Sequence, residues 1–135
     1  MIFTALLMAG AGLQAQEILT RFSTDRISCK YSYTIDIPVT LNYEGDALVQ
    51  GDCYHLKGNG IEIFCDGVSR WTVDAEAREV YIEKAEGLEE LMVWGDSLSD
   101  LKISGIQYLP LSEDLKPFRF ETAGLDAEWV VTDLR

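Results

Sequence analysis

A chain of 135 residues, 47% of them apolar, can bury one modest core and reads as a single domain. Its formal charge of −12, from 11 Lys plus Arg against 23 Asp plus Glu, argues against nucleic acid and anionic lipid surfaces as partners, since both ask for positive charge.

Residues 1–16, MIFTALLMAGAGLQAQ, carry no charge and end on the small pair Ala15-Gln16. They read as a cleaved secretory signal peptide, shorter than the ~20 apolar residues a spanning helix needs. The mature domain is then 17–135, in an oxidising compartment. Glu17 to Ser23 is expected to form a short amphipathic helix, with Ile18, Leu19 and Phe22 on one side. Next comes a clean alternation: Ile27, Cys29, Tyr31, Tyr33, Ile35 and Ile37 against Ser28, Lys30, Ser32, Thr34 and Asp36. Pro38 ends or bends this strand. Val39 to Tyr43 extends it past the kink, and Glu44-Gly45 turns the chain.

The run from Asp46 to Glu83 reads as five short strands joined by tight turns. Asn59-Gly60 is a strong type I′ hairpin signal, because both residues tolerate positive φ. Its register sets Leu56 opposite Ile63 and Tyr54 opposite Cys65. A Gly51-Asp52 loop sets Val49 opposite Tyr54 and Ala47 opposite Leu56. An odd-length loop around Asp66-Gly67 is expected to set Trp71 opposite Ile63 and Val73 opposite Ile61, and the next turn sets Ile82 opposite Trp71. All the large apolar residues of the five strands, apart from Leu48, Phe64 and Tyr81, then share one face, and His55, Lys57, Glu62 and Arg70 share the other. Glu86 to Trp94 places Leu88, Leu91 and Met92 at helical spacing, and Gly95 stops that helix. Strands follow at Leu101 to Leu109, Phe118 to Glu121 and Trp129 to Asp133. The predicted fold class is mainly β (α+β): a curved antiparallel sheet or incomplete β-barrel under two short covering helices.

Little catalytic chemistry is present. His55 is the only histidine, no serine sits in a nucleophile elbow, and no glycine-rich phosphate loop occurs. Cys53 with His55 supplies two metal ligands on one face, short of the three or four that zinc needs. No enzyme, cofactor or metal site is expected. Cys53 and Cys65 fall on opposite faces and do not pair; Cys29 and Cys65 both point inward, and an odd count leaves at least one thiol free. What remains is a greasy sheet larger than its two small helical covers, which suits an acyl chain.

The order of EILTRF, the alternating strand, the glycine-turn meander, DGVSRWTVD, AREVYIEKA and the ending EWVVTDLR resembles the LolA-like outer-membrane lipoprotein carriers, in the branch common in Bacteroidetes-type bacteria. The likeness covers most of the mature chain. It implies a monomeric periplasmic carrier or chaperone, which takes lipoproteins from an inner-membrane release complex, shields their acyl chains and passes them to an outer-membrane acceptor. By position, Tyr54, Leu56, Ile61, Ile63 and Trp71 line the cavity and Leu88, Leu91 and Met92 belong to the lid; the inward-facing strand residues Tyr31, Tyr33, Ile35 and Val73 complete the expected acyl-binding set. Two departures stand out: a shortened section between Glu83 and Ile103, and no counterpart in CYHLKG for the lid-locking arginine of the proteobacterial carriers. The alternative is a non-enzymatic envelope interaction or sensor module on the same fold. A polysaccharide platform from Phe64 and Tyr81 is weaker, since two isolated rings make no platform.

Overall fold

The computed structural model describes residues 21, 24–36, 40–85 and 98–135. Its strands are β1 (Asp25–Asp36), β2 (Thr40–Gln50), β3 (Cys53–Gly58), β4 (Ile61–Cys65), β5 (Ser69–Asp74), β6 (Glu79–Lys84), β7 (Leu98–Pro110) and β8 (Val130–Asp133). They form one open sheet in the order β7-β1-β2-β3-β4-β5-β6-β8. All neighbours are antiparallel except β6 and β8, which run parallel.

The α+β expectation is corrected here. Among the described residues the one complete helical element is the 3₁₀ turn Lys116–Phe118, with Arg21 the single other helical residue, and the architecture is an open sheet, not an incomplete barrel under two covering helices. The segments foreseen as helices, 17–23 apart from Arg21 and 86–94, lie outside the described residues, as does the signal peptide. No described helix is long and apolar enough to cross a membrane. Cover for one side of the sheet comes instead from residues 112–129, where Pro117 and Gly124 oppose helix growth. The strand expected over Phe118 to Glu121 is part of this irregular segment.

Three of the expected registers are found as foreseen. Leu56 stands opposite Ile63 across the Asn59-Gly60 turn, Val49 opposite Tyr54, and Ile82 opposite Trp71. Asn59 and Gly60 take the positive φ values, 53° and 79°, that a type I′ turn requires. Glu44-Gly45 is not a turn: β2 runs straight through it, paired to β1 as far as Thr40. Gly45 stands opposite both Tyr31 and Gly58, and a Cβ there would collide with the Lys57 carbonyl oxygen and lie 2.8 Å from the Tyr31 hydroxyl. Glycine is needed inside the strand for this close approach, not for a bend.

The connection from β4 to β5 differs by one residue from expectation, and the difference reorganises the molecule. Cys65 pairs with Arg70, so Phe64 stands opposite Trp71 and Ile63 opposite Thr72. The loop is even, with Gly67 at φ 89°. Asp66 holds it closed: its Oδ1 accepts the Val68 and Ser69 amides at 3.0 and 2.9 Å, and its Oδ2 accepts from Arg119 Nε at 2.8 Å. A one-residue shift moves every following side chain to the other side of the sheet. On face A lie Ile27, Cys29, Ala47, Val49, Tyr54, Leu56, Ile63 and Cys65, but then Arg70 and Thr72. On face B lie His55 and Phe64, followed by Trp71, Val73, Val80 and Ile82. The chain therefore builds two apolar clusters, one on each face.

Burial opposes ionisation of Asp66, but the Ser69 amide, the Arg119 guanidinium and the Val68 amide outweigh it and hold the carboxyl below its ordinary value of 3.8. A depressed folded-state pKa gives stability that is present above the unfolded value and lost as pH falls through the folded one. Asp66→Asn is therefore expected to lower stability by about 1–2 kcal/mol at neutral pH. The gap to wild type should narrow on acidification below the ordinary aspartate range. Urea unfolding of both proteins at neutral pH and near pH 3 checks this; a gap independent of pH would contradict it.

Candidate functional site

Face A carries the stripe expected to hold a ligand. At one end of the strands Ile27, Cys29, Ala47, Val49, Tyr54 and Cys65 are buried, with Ile103 of β7 completing the cluster. Toward the other end Tyr31, Tyr33, Leu56, Ile61 and Ile63 are half-buried. Tyr31, Tyr33 and Tyr43 stack in sequence, with ring centroids 6.0 and 5.2 Å apart. The Gly45–Gly58 pair leaves a bare strip of backbone over which the Tyr31 hydroxyl lies. Burial, then the neighbouring Tyr33, push the Tyr31 phenol up to about 12, and burial followed by Tyr43 raises Tyr33, so both rings are neutral donors at physiological pH.

The stripe ends at β5 in charge. Arg70 is buried on face A beside Cys65 and donates to Glu83 Oε2 at 2.7 Å. Alternation had assigned Arg70 to the solvent side; the one-residue difference at Asp66 turns it inward, and the Glu83 carboxylate makes its burial tolerable. Ala85 is the one apolar residue outside the strands, among those described, that packs on the face A cluster.

Face B is covered from β1 to β6 by the segment that crosses from β7 to β8. Arg26 and Gln50 grip its start at Ser112 and Asp114, Phe118 lies against Arg26, and Phe120 tilts onto Phe64. Leu125 and Trp129 then close over Val73, Val80 and Ile82. At the Asn59-Gly60 end of the sheet lies a depression of about 780 Å³, lined by Tyr31 and Ile61 as well as by charged residues. Lys30, Asp46, Lys57 and Glu62 stand opposite one another across its floor. A row of alternating charge does not suit a hydrocarbon chain.

Of the residues assigned to the acyl site, Tyr31, Tyr33, Tyr54, Leu56, Ile61 and Ile63 therefore come together on face A. Trp71 and Val73 do not join them, because they sit in the opposite cluster. Ile35 is paired with Leu41 in the β1–β2 ladder, and Leu88, Leu91 and Met92 lie outside the described residues. Sequence reasoning missed Tyr43, Gly45 and Gly58 as parts of the open end; the pairing of β1 with a long β2 was the signal needed to find them.

His55 stacks on Phe64 at 4.2 Å, with its Nε2 2.9 Å from Glu62 Oε2, and is a packed residue of face B. Among the described residues no three His, Cys, Asp or Glu side chains converge as metal ligands. All three cysteines are free thiols. Burial, then the nearby Asp46, push Cys29 up to about 11, and burial raises Cys53 and Cys65, so none is a thiolate at neutral pH. No protein-family model and no curated protein matches the chain.

Proposed function

We propose that the protein is a non-enzymatic carrier that holds acyl chains along the half-buried end of face A. The lining set is Tyr31, Tyr33, Leu56, Ile61 and Ile63, with the buried Tyr54 at the inner end of the stripe. The observation that carries this reading is the continuity of that half-buried stripe with a fully buried apolar cluster on the same face. Apolar burial contributes about 25 cal/mol per Å², so a chain laid along the stripe gains several kcal/mol against the cost of its ordering. The likeness of DGVSRWTVD, AREVYIEKA and EWVVTDLR to the LolA-like carriers supports lipoproteins as the cargo. In that reading the protein works in the periplasm, between an inner-membrane release complex and an outer-membrane acceptor.

Titration with a fluorescent fatty-acid probe tests the proposal. Wild type is expected to bind saturably, and Leu56→Asp or Ile63→Asp to weaken binding by tenfold or more, roughly 1.4 kcal/mol. Glu62→Gln, on face B, should leave it unchanged, and circular dichroism confirms that each variant is folded. A folded wild type with no probe binding would sink the carrier reading in favour of an interaction module.

A further inference from the structure

The sheet has two outer edges, and they are built differently. β7 is blunted in the ways that protect an edge: its pairing to β1 shifts register between Ser28 and Lys30 and between Ser32 and Thr34, Gly105 takes φ 60°, and Lys102 and Pro110 lie along it. β8 has no bulge, proline or lysine within Val130–Asp133. It exposes Val130 at 59% and Val131 at 42%, with Leu134 at 63% just beyond and Tyr81 at 39% on the adjoining strand.

Among the described residues, the backbone shows which groups of this edge have no partner. The Val130 amide donates to the Arg78 carbonyl at 2.9 Å, and the Leu134 amide to that of Ile82 at 2.7 Å. In a parallel ladder alternate residues bond to the same neighbour. Thr132 is therefore turned toward β6 as well, and the N–H and C=O of Val131 and Asp133 point outward. Charge around this edge is acidic. Glu79 stands opposite Val130 and Asp126 shortly precedes the strand, while Arg78 and Arg135 are offset by their own partners Glu128 and Asp133, so the local balance is acidic.

We propose that the free edge of β8 is a docking edge for an extended segment of a partner protein, added as a further strand and carrying lysine or arginine side chains beside valine-sized apolar ones. Main-chain bonds to Val131 and Asp133 would supply the strand pairing, and exposed Val130, Val131 and Leu134 the apolar contacts. The acidic rim selects cationic side chains. A second copy of this chain is the poorer occupant, because each copy brings a charge of −12. The proposal is independent of acyl binding on face A.

The probe is a short labelled peptide alternating lysine and valine, followed by fluorescence anisotropy on the full-length protein. Saturable binding is expected, weakening as salt rises, with none for the glutamate–valine counterpart. Val131→Pro removes an outward N–H and leaves the bonds to β6 intact, so binding should fall at least tenfold in a protein that still folds. Val131→Lys, which keeps the N–H but adds a like charge, should weaken it as well. Binding unchanged in both variants would mean general attraction to an acidic surface, and overturns the proposal. So would a failure of wild type to bind, or Val131-dependent dimers in sedimentation, which would make a second copy the occupant.

Discussion

Phe118→Ala is expected to lower the free energy of unfolding by about 3–5 kcal/mol, the range for emptying a fully buried aromatic site. Phe118 is 0% exposed and is the one residue of the 112–129 segment buried completely. Its position is set locally by the 3₁₀ turn, whose Phe118 amide donates to the Leu115 carbonyl at 2.9 Å with Pro117 just before it. Above the ring sits the Arg26 guanidinium, 4.9 Å from the centroid. Alanine would leave a cavity between the crossing segment and β3–β4 that a proline-stiffened turn cannot collapse to fill. With total stabilities near 5–15 kcal/mol for domains of this kind, that is a large part of the whole. Urea unfolding followed by tryptophan fluorescence reads the change, and a shift under about 1 kcal/mol would show that the segment is not anchored here.

Arg26→Met is expected to cost about 2–3 kcal/mol, from hydrogen bonds broken in a buried place. Arg26 is 9% exposed; its Nε donates to Gln50 Oε1 at 2.9 Å, and its Nη2 to the carbonyls of Asp114 and Ser112 at 2.9 and 3.3 Å. Gln50 holds Ser112 from both sides, so Ser112 keeps a partner in the variant, but the Asp114 carbonyl loses its donor. Methionine keeps much of the apolar stem, which isolates the hydrogen bonds. Arg26→Lys should recover little, because an ammonium cannot reproduce the planar fork. Since the guanidinium also lies over Phe118, the double variant with Phe118→Ala should cost less than the two single changes together, by about 0.5–1 kcal/mol. A lysine variant as stable as wild type, or strict additivity, would contradict this picture.

Much of the sheet was readable from residue order. Alternation from Ile27 to Asp36 leads directly to β1 as a strand, and the Asn59-Gly60 turn with the spacing of the strands around it to β3, β4 and their register, because side chains in a strand repeat every two residues and the turn type dictates the pairing. The half of the acyl stripe made by Tyr54, Leu56, Ile61 and Ile63 follows from that alone. Gly45 was misread because glycine after an acidic residue is a common turn signal. Here it serves a contact with Tyr31, which is visible only once β1 and β2 are paired.

Local order thus determined most of the strands, the Gly51-Asp52 and Asn59-Gly60 turns and the alignment of the hairpins they close, since these depend on neighbours a few positions apart. Only the tertiary structure decided which side each half of the sheet shows. That choice turns on whether the loop at Asp66 is odd or even, and Asp66 takes a hydrogen bond from Arg119, 53 positions along the chain. It also decided that residues 112–129 lie on face B and that β8 returns parallel to β6. A crossover of this length is guided by distant anchors such as Arg26 and Phe118, and periodicity within a strand carries no trace of them.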